Sequence, residues 1–61
     1  MTKLAKMIEA RGTSIRQLAR DSRVPERSVY RHVRGITRPK VEQAAAYARA
    51  LDCPIEELVE A

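Results

Sequence analysis

The chain has 61 residues, a single cysteine and a formal net charge of +4. That length holds one small domain, near the lower limit at which a hydrophobic core suffices by itself. One cysteine excludes an internal disulfide, and His32 and Cys53 alone lack zinc spacing, so no metal or cofactor is expected.

No apolar run approaches the length of a membrane span or a signal-peptide core, so a cytoplasmic protein without a membrane partner is expected. The charge is unevenly placed. Arg11 to Lys40 carries nine basic residues against two acidic, a local +7; from Val41 onward one basic residue faces five acidic, a local −4. A basic section ahead of an acidic tail points toward a polyanion.

In chain order, Thr2 is the expected N-cap of a first helix over about 2–11. Leu4, Met7 and Ile8 face inward, Lys3, Lys6 and Glu9 stay wet, and Gly12 stops it. A second helix covers about 15–22. Ser14 and Gln17 have the spacing of a capping box, in which Ser14 accepts from the Gln17 N–H and the Gln17 side chain reaches back. Val24-Pro25 then breaks the run, because proline disfavours helical geometry in the residue before it and has no N–H.

The third helix, about 25–34, places Val29 and Val33 one turn apart on an inner face. Glu26, Arg27, Tyr30, Arg31 and Arg34 fall elsewhere around it, and Gly35 caps its end. A short helix showing mostly arginine outward, propped by another just before it, reads as a DNA-reading element. The loop I-T-R-P-K leads to a fourth helix over 41–51, with an expected inner stripe of Val41, Ala44, Ala45, Ala48 and Leu51. After D-C-P, a fifth helix over about 55–60 would turn Ile55, Leu58 and Val59 inward. No segment alternates as a strand would, so the expectation is one all-α domain of five short helices spanning 1–61. Tyr47 and Arg49 lie on the fourth helix, within reach of a dimer partner, and the sequence does not say whether they meet one. His32 is expected to be a half-buried packing residue, not a pH switch or a metal ligand.

Four segments carry a resemblance: G-T-S-I-R-Q-L-A at Gly12 to Ala19, V-P-E-R-S-V at Val24 to Val29, R-G-x-x-x-P at Arg34 to Pro39, and A-x-x-L-D-C-P-I-E-E-L at Ala48 to Leu58. In this order and spacing they make the chain resemble the lambda-repressor-like, Cro/C1-type helix-turn-helix family over essentially its whole length. The resemblance implies the compact five-helix fold of that family and a bacterial or phage origin. It also implies sequence-specific binding of double-stranded DNA by a transcriptional repressor or regulator. The partner would be operator half-sites, met by a homodimer formed in solution or only on DNA, with the third helix in the major groove.

At the matching positions the resemblance assigns base contacts to Glu26, Arg27, Ser28 and Arg31. Arginine forks onto guanine, glutamate accepts from cytosine N4, and serine bonds to either a base or a phosphate. Phosphate contacts fall to Thr13, Ser14 and Arg16 at the start of the second helix, to Tyr30 and Arg34 on the third, and to Thr37, Arg38 and Lys40 in the loop after it. The alternative is a helix-turn-helix module, antitoxin-like or a regulatory partner, that binds protein and not DNA. It predicts an apolar or acidic outer face on the third helix. An enzyme is not expected, nor a small-molecule substrate: there is no nucleophile with a base and no phosphate-cradling glycine loop.

The chain departs from the family pattern at several points. Arg23 stands where a glycine is usual at the turn, so a positive φ there would cost about 1 kcal/mol. Ser22 stands where an apolar residue is common, and His32 replaces a large apolar or aromatic residue. Ile15 replaces a phosphate-binding glutamine, leaving backbone N–H groups in that role. Ile8 and Val33 together replace a buried arginine–glutamate pair, a double change that the same fold accommodates. Cys53 takes a small apolar position and is expected to be buried.

Overall fold

The computed structural model describes residues 1–60. Among them there are four α-helices and no strand: α1 (Lys3–Ala10), α2 (Ile15–Ser22), α3 (Glu26–Val33) and α4 (Val41–Leu51). A single 3-10 turn follows at Ile55–Glu57. The all-α expectation holds, but the fifth helix over 55–60 is reduced to this turn. Pro54 enters it in an extended conformation, and its bonds run from the Glu57 N–H to the Pro54 carbonyl (3.0 Å) and from the Leu58 N–H to the Ile55 carbonyl (2.9 Å). One turn buries Leu58 and packs the half-buried Ile55 against the core, as expected for both. A longer helix would have to be nucleated with nothing further to bury.

The caps are local and mostly as the residues suggest. Thr2 accepts from the Ala5 N–H at 3.0 Å, and its hydroxyl donates to the Val33 carbonyl at 2.7 Å, tying the start of α1 to the end of α3. Ser14 accepts from the Gln17 N–H at 3.1 Å. The return half of that capping box does not form. Gln17 instead donates its side-chain amide to Asp21 at 2.9 Å, a charged acceptor one turn along the same face. Gly35 has φ +75°, and a Cβ there would lie 3.3 Å from the Thr2 methyl group, so both conformation and space call for glycine.

The core is one aliphatic cluster of Leu4, Ile8, Leu18, Val24, Val29, Ala48, Leu51 and Leu58 around Tyr47. α2 packs on both α3 and α4, while α1 closes over α3 and the 3-10 turn. Ile8 is buried and Val33 packs against the same cluster, so the two positions of the family's ion pair are occupied as an apolar set. Three expectations for the core need correcting. Val41 is 79% exposed, because it is the first residue of α4 and lies beyond the neighbouring helices; Ala45 is only half-buried. The inner stripe is Ala44, Tyr47, Ala48 and Leu51. Val59 lies after the 3-10 turn and is exposed.

Tyr47, left open as a dimer contact, is fully buried and so takes no part in a partner surface, and His32, expected to be half-buried, is buried beside it. Each ring hides its apolar body, and the Tyr47 hydroxyl pairs with Nδ1 of His32. Cys53 is half-buried, not buried, and burial pushes its thiol above the usual range, which disfavours the thiolate.

Candidate nucleic-acid interface

Burial of Val29 and His32 fixes the rotation of α3 about its own axis. Glu26, Arg27, Arg31 and Arg34 are therefore left exposed, Tyr30 is partly exposed, and Ser28 is half-buried at the margin. Arg27 and Arg31 lie four residues apart, so their side chains share one face. Neither makes an ion pair among the described residues, and neither is covered by another part of the chain. Their guanidinium groups keep all their donors available.

α3 begins at Glu26 without a side-chain cap and with an acidic residue in its first turn. That carboxylate complements the positive end of the helix. It also meets α2: Arg16 Nε lies 3.7 Å from Glu26 Oε1. The turn between the two helices is held by Arg23 in the left-handed region, φ +63° and ψ +26°, as the missing glycine foreshadows. Ser22 does not pack as an apolar residue would; its hydroxyl accepts from the Val24 N–H at 3.3 Å within the same turn.

The residues assigned to backbone contact form two groups. At the start of α2, Thr13 is half-buried, whereas Ser14 and Arg16 are exposed. Ser14 spends its acceptor on the cap and keeps its O–H for a further partner. After α3, Arg34, Thr37, Arg38 and Lys40 are all exposed. The Lys40 N–H is taken by the Gln43 side chain at 2.8 Å, so lysine can offer a ligand only its ammonium group.

Three relationships escape a residue-by-residue reading. Arg34 stacks over Tyr30, Cζ to ring centroid 5.7 Å, which makes one cation–π unit of two separately assigned residues. Their four-residue spacing carries that signal, so it could have been found. The Thr2–Val33 bond steadies the end of α3 from a site 31 positions away, and nothing local announces it. Arg11 belongs to the basic section by sequence, yet its guanidinium donates to the Asp52 carbonyl at 3.0 Å, between α1 and the end of α4.

No three His, Cys, Asp or Glu side chains among the described residues lie together as a metal site, and no described helix is long and apolar enough to cross a membrane. The arrangement offers a polyanion one cationic helix face, flanked by a helix N-terminus and a basic loop. No curated protein and no solved structure matches the chain closely enough to be compared. A family model described as helix-turn-helix matches residues 4–58, from α1 to the end of the 3-10 turn, and the chain belongs to the Cro/C1-type helix-turn-helix family of DNA-binding proteins.

Proposed function

We propose that this protein is a sequence-specific transcriptional regulator, most simply a repressor, that binds operator half-sites as a two-fold dimer. α3 enters the major groove with its first turn toward the base edges. Arg27 and Arg31 each fork onto a guanine, Glu26 accepts from a cytosine amino group, and Ser28 bonds at the margin of the groove. Thr13, Ser14 and Arg16 on one side, and Tyr30, Arg34, Thr37, Arg38 and Lys40 on the other, hold the flanking phosphates and set the register.

One observation carries this reading: Arg27 and Arg31 stand exposed, unpaired and one turn apart on the outer face of the second helix of the motif. An arginine pair with no partner in its own chain favours an external anion, and the planar fork favours guanine. The same face argues against a protein-binding module, which would need apolar or acidic residues there. The dimer is supported by size: one module of this kind buries only about 600–1,000 Å² on DNA, and two half-sites about one helical turn apart multiply both affinity and selectivity.

The test is selection of bound sites from random duplexes, combined with a salt titration and sedimentation. A palindromic consensus, a complex of two chains per duplex, and a log–log salt slope near −0.9 for each phosphate neutralised are expected. Binding without sequence preference, or without salt dependence, would overturn the reading.

A further inference from the structure

Arg38, in the loop after α3, and Glu60, beyond the 3-10 turn, both line one cavity of about 170 Å³. Its inner wall is made of buried side chains: Leu4, His32, Tyr47 and Leu58. The two charges at its rim do not pair, since Arg16–Glu26 is the only ion pair among the described residues. Glu60 accepts from the Lys3 N–H through Oε1 at 2.6 Å, which tethers the carboxylate and leaves Oε2 for another donor.

The wall adds one directed polar group. The Tyr47 hydroxyl is fully buried and donates to Nδ1 of His32 at 2.7 Å, so the ring proton sits on Nε2. Nε2 has no partner among the described residues, yet no polar side-chain atom is both sealed from water and unsatisfied. His32 is only 7% exposed, so what Nε2 keeps open is its approach through the cavity that the ring lines. A cation, an anion and a buried N–H thus surround a space closed on its inner side by leucines. A simple anion entering it would face Glu60, and a simple cation would face Arg38. A molecule carrying both charges satisfies both. A cavity of about 150 Å³ accepts a benzene-sized molecule, so this one has room for about six to eight non-hydrogen atoms.

We propose that this cavity binds a small zwitterion, an α-amino acid with a short apolar side chain. Arg38 and the His32 Nε2–H hold its carboxylate, Glu60 holds its ammonium group, and Leu4 and Leu58 meet its side chain. Occupancy turns Arg38 toward the cavity and withdraws it from the DNA backbone. The amino acid therefore weakens DNA binding, and DNA weakens amino-acid binding by the same factor. That consequence rests on the DNA-binding reading above and supplies its regulation; the site itself does not depend on it.

The experiment titrates the free chain with L-valine, followed by the NMR signals of the His32 ring, at neutral pH and constant ionic strength. Isovalerate and isobutylamine serve as probes that each lack one of the two charges. L-Valine should half-saturate the signals at about 1 mM, with both half-ligands weaker by about tenfold or more. Glu60→Gln keeps an acceptor for the Lys3 N–H; it should lose about tenfold in L-valine affinity and nothing for isovalerate. A residue that only braced the fold would not separate the two probes, and thermal melting checks folding. On the selected duplex, saturating L-valine should weaken the wild-type chain by about fivefold or more and leave Arg38→Ala unchanged. The absence of a saturable shift at His32, or isovalerate binding as tightly as L-valine, would overturn the site. L-Valine that binds at His32 without altering DNA affinity would overturn the regulation alone. A wild-type chain that selects no duplex overturns the functional reading, while the titration of the free chain still decides the site.

Discussion

Nδ1 of His32, on α3, lies 2.7 Å from the hydroxyl of Tyr47, on α4, with the rings meeting edge to face at 5.7 Å between centroids. Tyr47 is fully buried and has no other hydrogen-bond partner among the described residues, so its O–H donates to Nδ1 and the ring proton sits on Nε2. The helix that carries Arg27 and Arg31 is thus pinned to the longest helix by one polar bond inside an otherwise aliphatic core.

That bond sets a pH window. Burial lowers the His32 pKa from 6.5 and pushes Tyr47 from 10.0 up to about 12. Arg38 and Glu60, of opposite charge, both line the cavity of about 170 Å³ beside the ring, and burial is the cause of the His32 shift. For His32 the unfolded chain binds the proton more readily, so its contribution is complete above pH 6.5 and is lost as pH falls through the lowered folded-state value. A protonated ring would also leave the Tyr47 O–H without an acceptor. For Tyr47 the sign reverses: the contribution is complete below pH 10.0 and is lost as pH rises toward about 12. Urea midpoints across this range should show a plateau with an acid and an alkaline shoulder. Tyr47→Phe should remove the alkaline shoulder and, by orphaning Nδ1, cost about 1–3 kcal/mol at neutral pH. His32→Leu should remove the acid shoulder; its persistence in that variant would assign it to carboxylates instead.

Arg23 holds a left-handed backbone with φ +63° between α2 and α3. A side chain with a Cβ is strained there by about 1 kcal/mol, which glycine does not suffer. Arg23→Gly should therefore raise stability by up to ~1 kcal/mol, the greater freedom of glycine in the unfolded chain trimming the gain. Arg23→Ala keeps the Cβ and should give none of it. Equal melting temperatures for the two variants would show that the turn carries no such strain.

What could be read from the residues, and what could not, divides by range. The caps at Thr2 and Ser14, the break at Val24-Pro25 and the stop at Gly35 depend on neighbours within a few positions, and the sequence displays those neighbours. Tyr47 stays undecided in the sequence because a phenol suits either side of a helix, and the choice is made by His32, which reaches it from another helix. Val41 and Val59 were misplaced because periodicity has no authority at the end of an element, where no facing helix remains. The exposed face of α3 was legible, since two inward residues determine the rest. The Arg16–Glu26 pair was not, because it spans a turn whose geometry is set by a non-glycine residue in a glycine conformation.

Arg27 provides the direct test of base reading. It is exposed in the first turn of α3 with no ionic partner among the described residues, so Arg27→Ala should leave the melting curve almost unchanged. Its effect should appear on DNA, as a loss of about 1–3 kcal/mol confined to one guanine-bearing position of each half-site. Competition between the selected site and single-base variants measures this. A loss that is equal for every duplex would make Arg27 a phosphate contact.

Arg38 should behave in the opposite way. It is exposed in the loop between α3 and α4, next to Pro39, whose ring restricts the backbone on which Arg38 is carried. On the proposed reading a cation held there meets phosphates and not base edges, so Arg38→Ala should weaken every duplex by a similar factor and flatten the log–log salt slope by about one unit. Arg38→Lys should restore both, because a phosphate in water accepts a point charge almost as well as a fork. Titrating the selected site and an unrelated duplex with each variant separates the two effects. A shift in base preference for Arg38→Ala, with the slope intact, would place that side chain in the groove instead of on its rim.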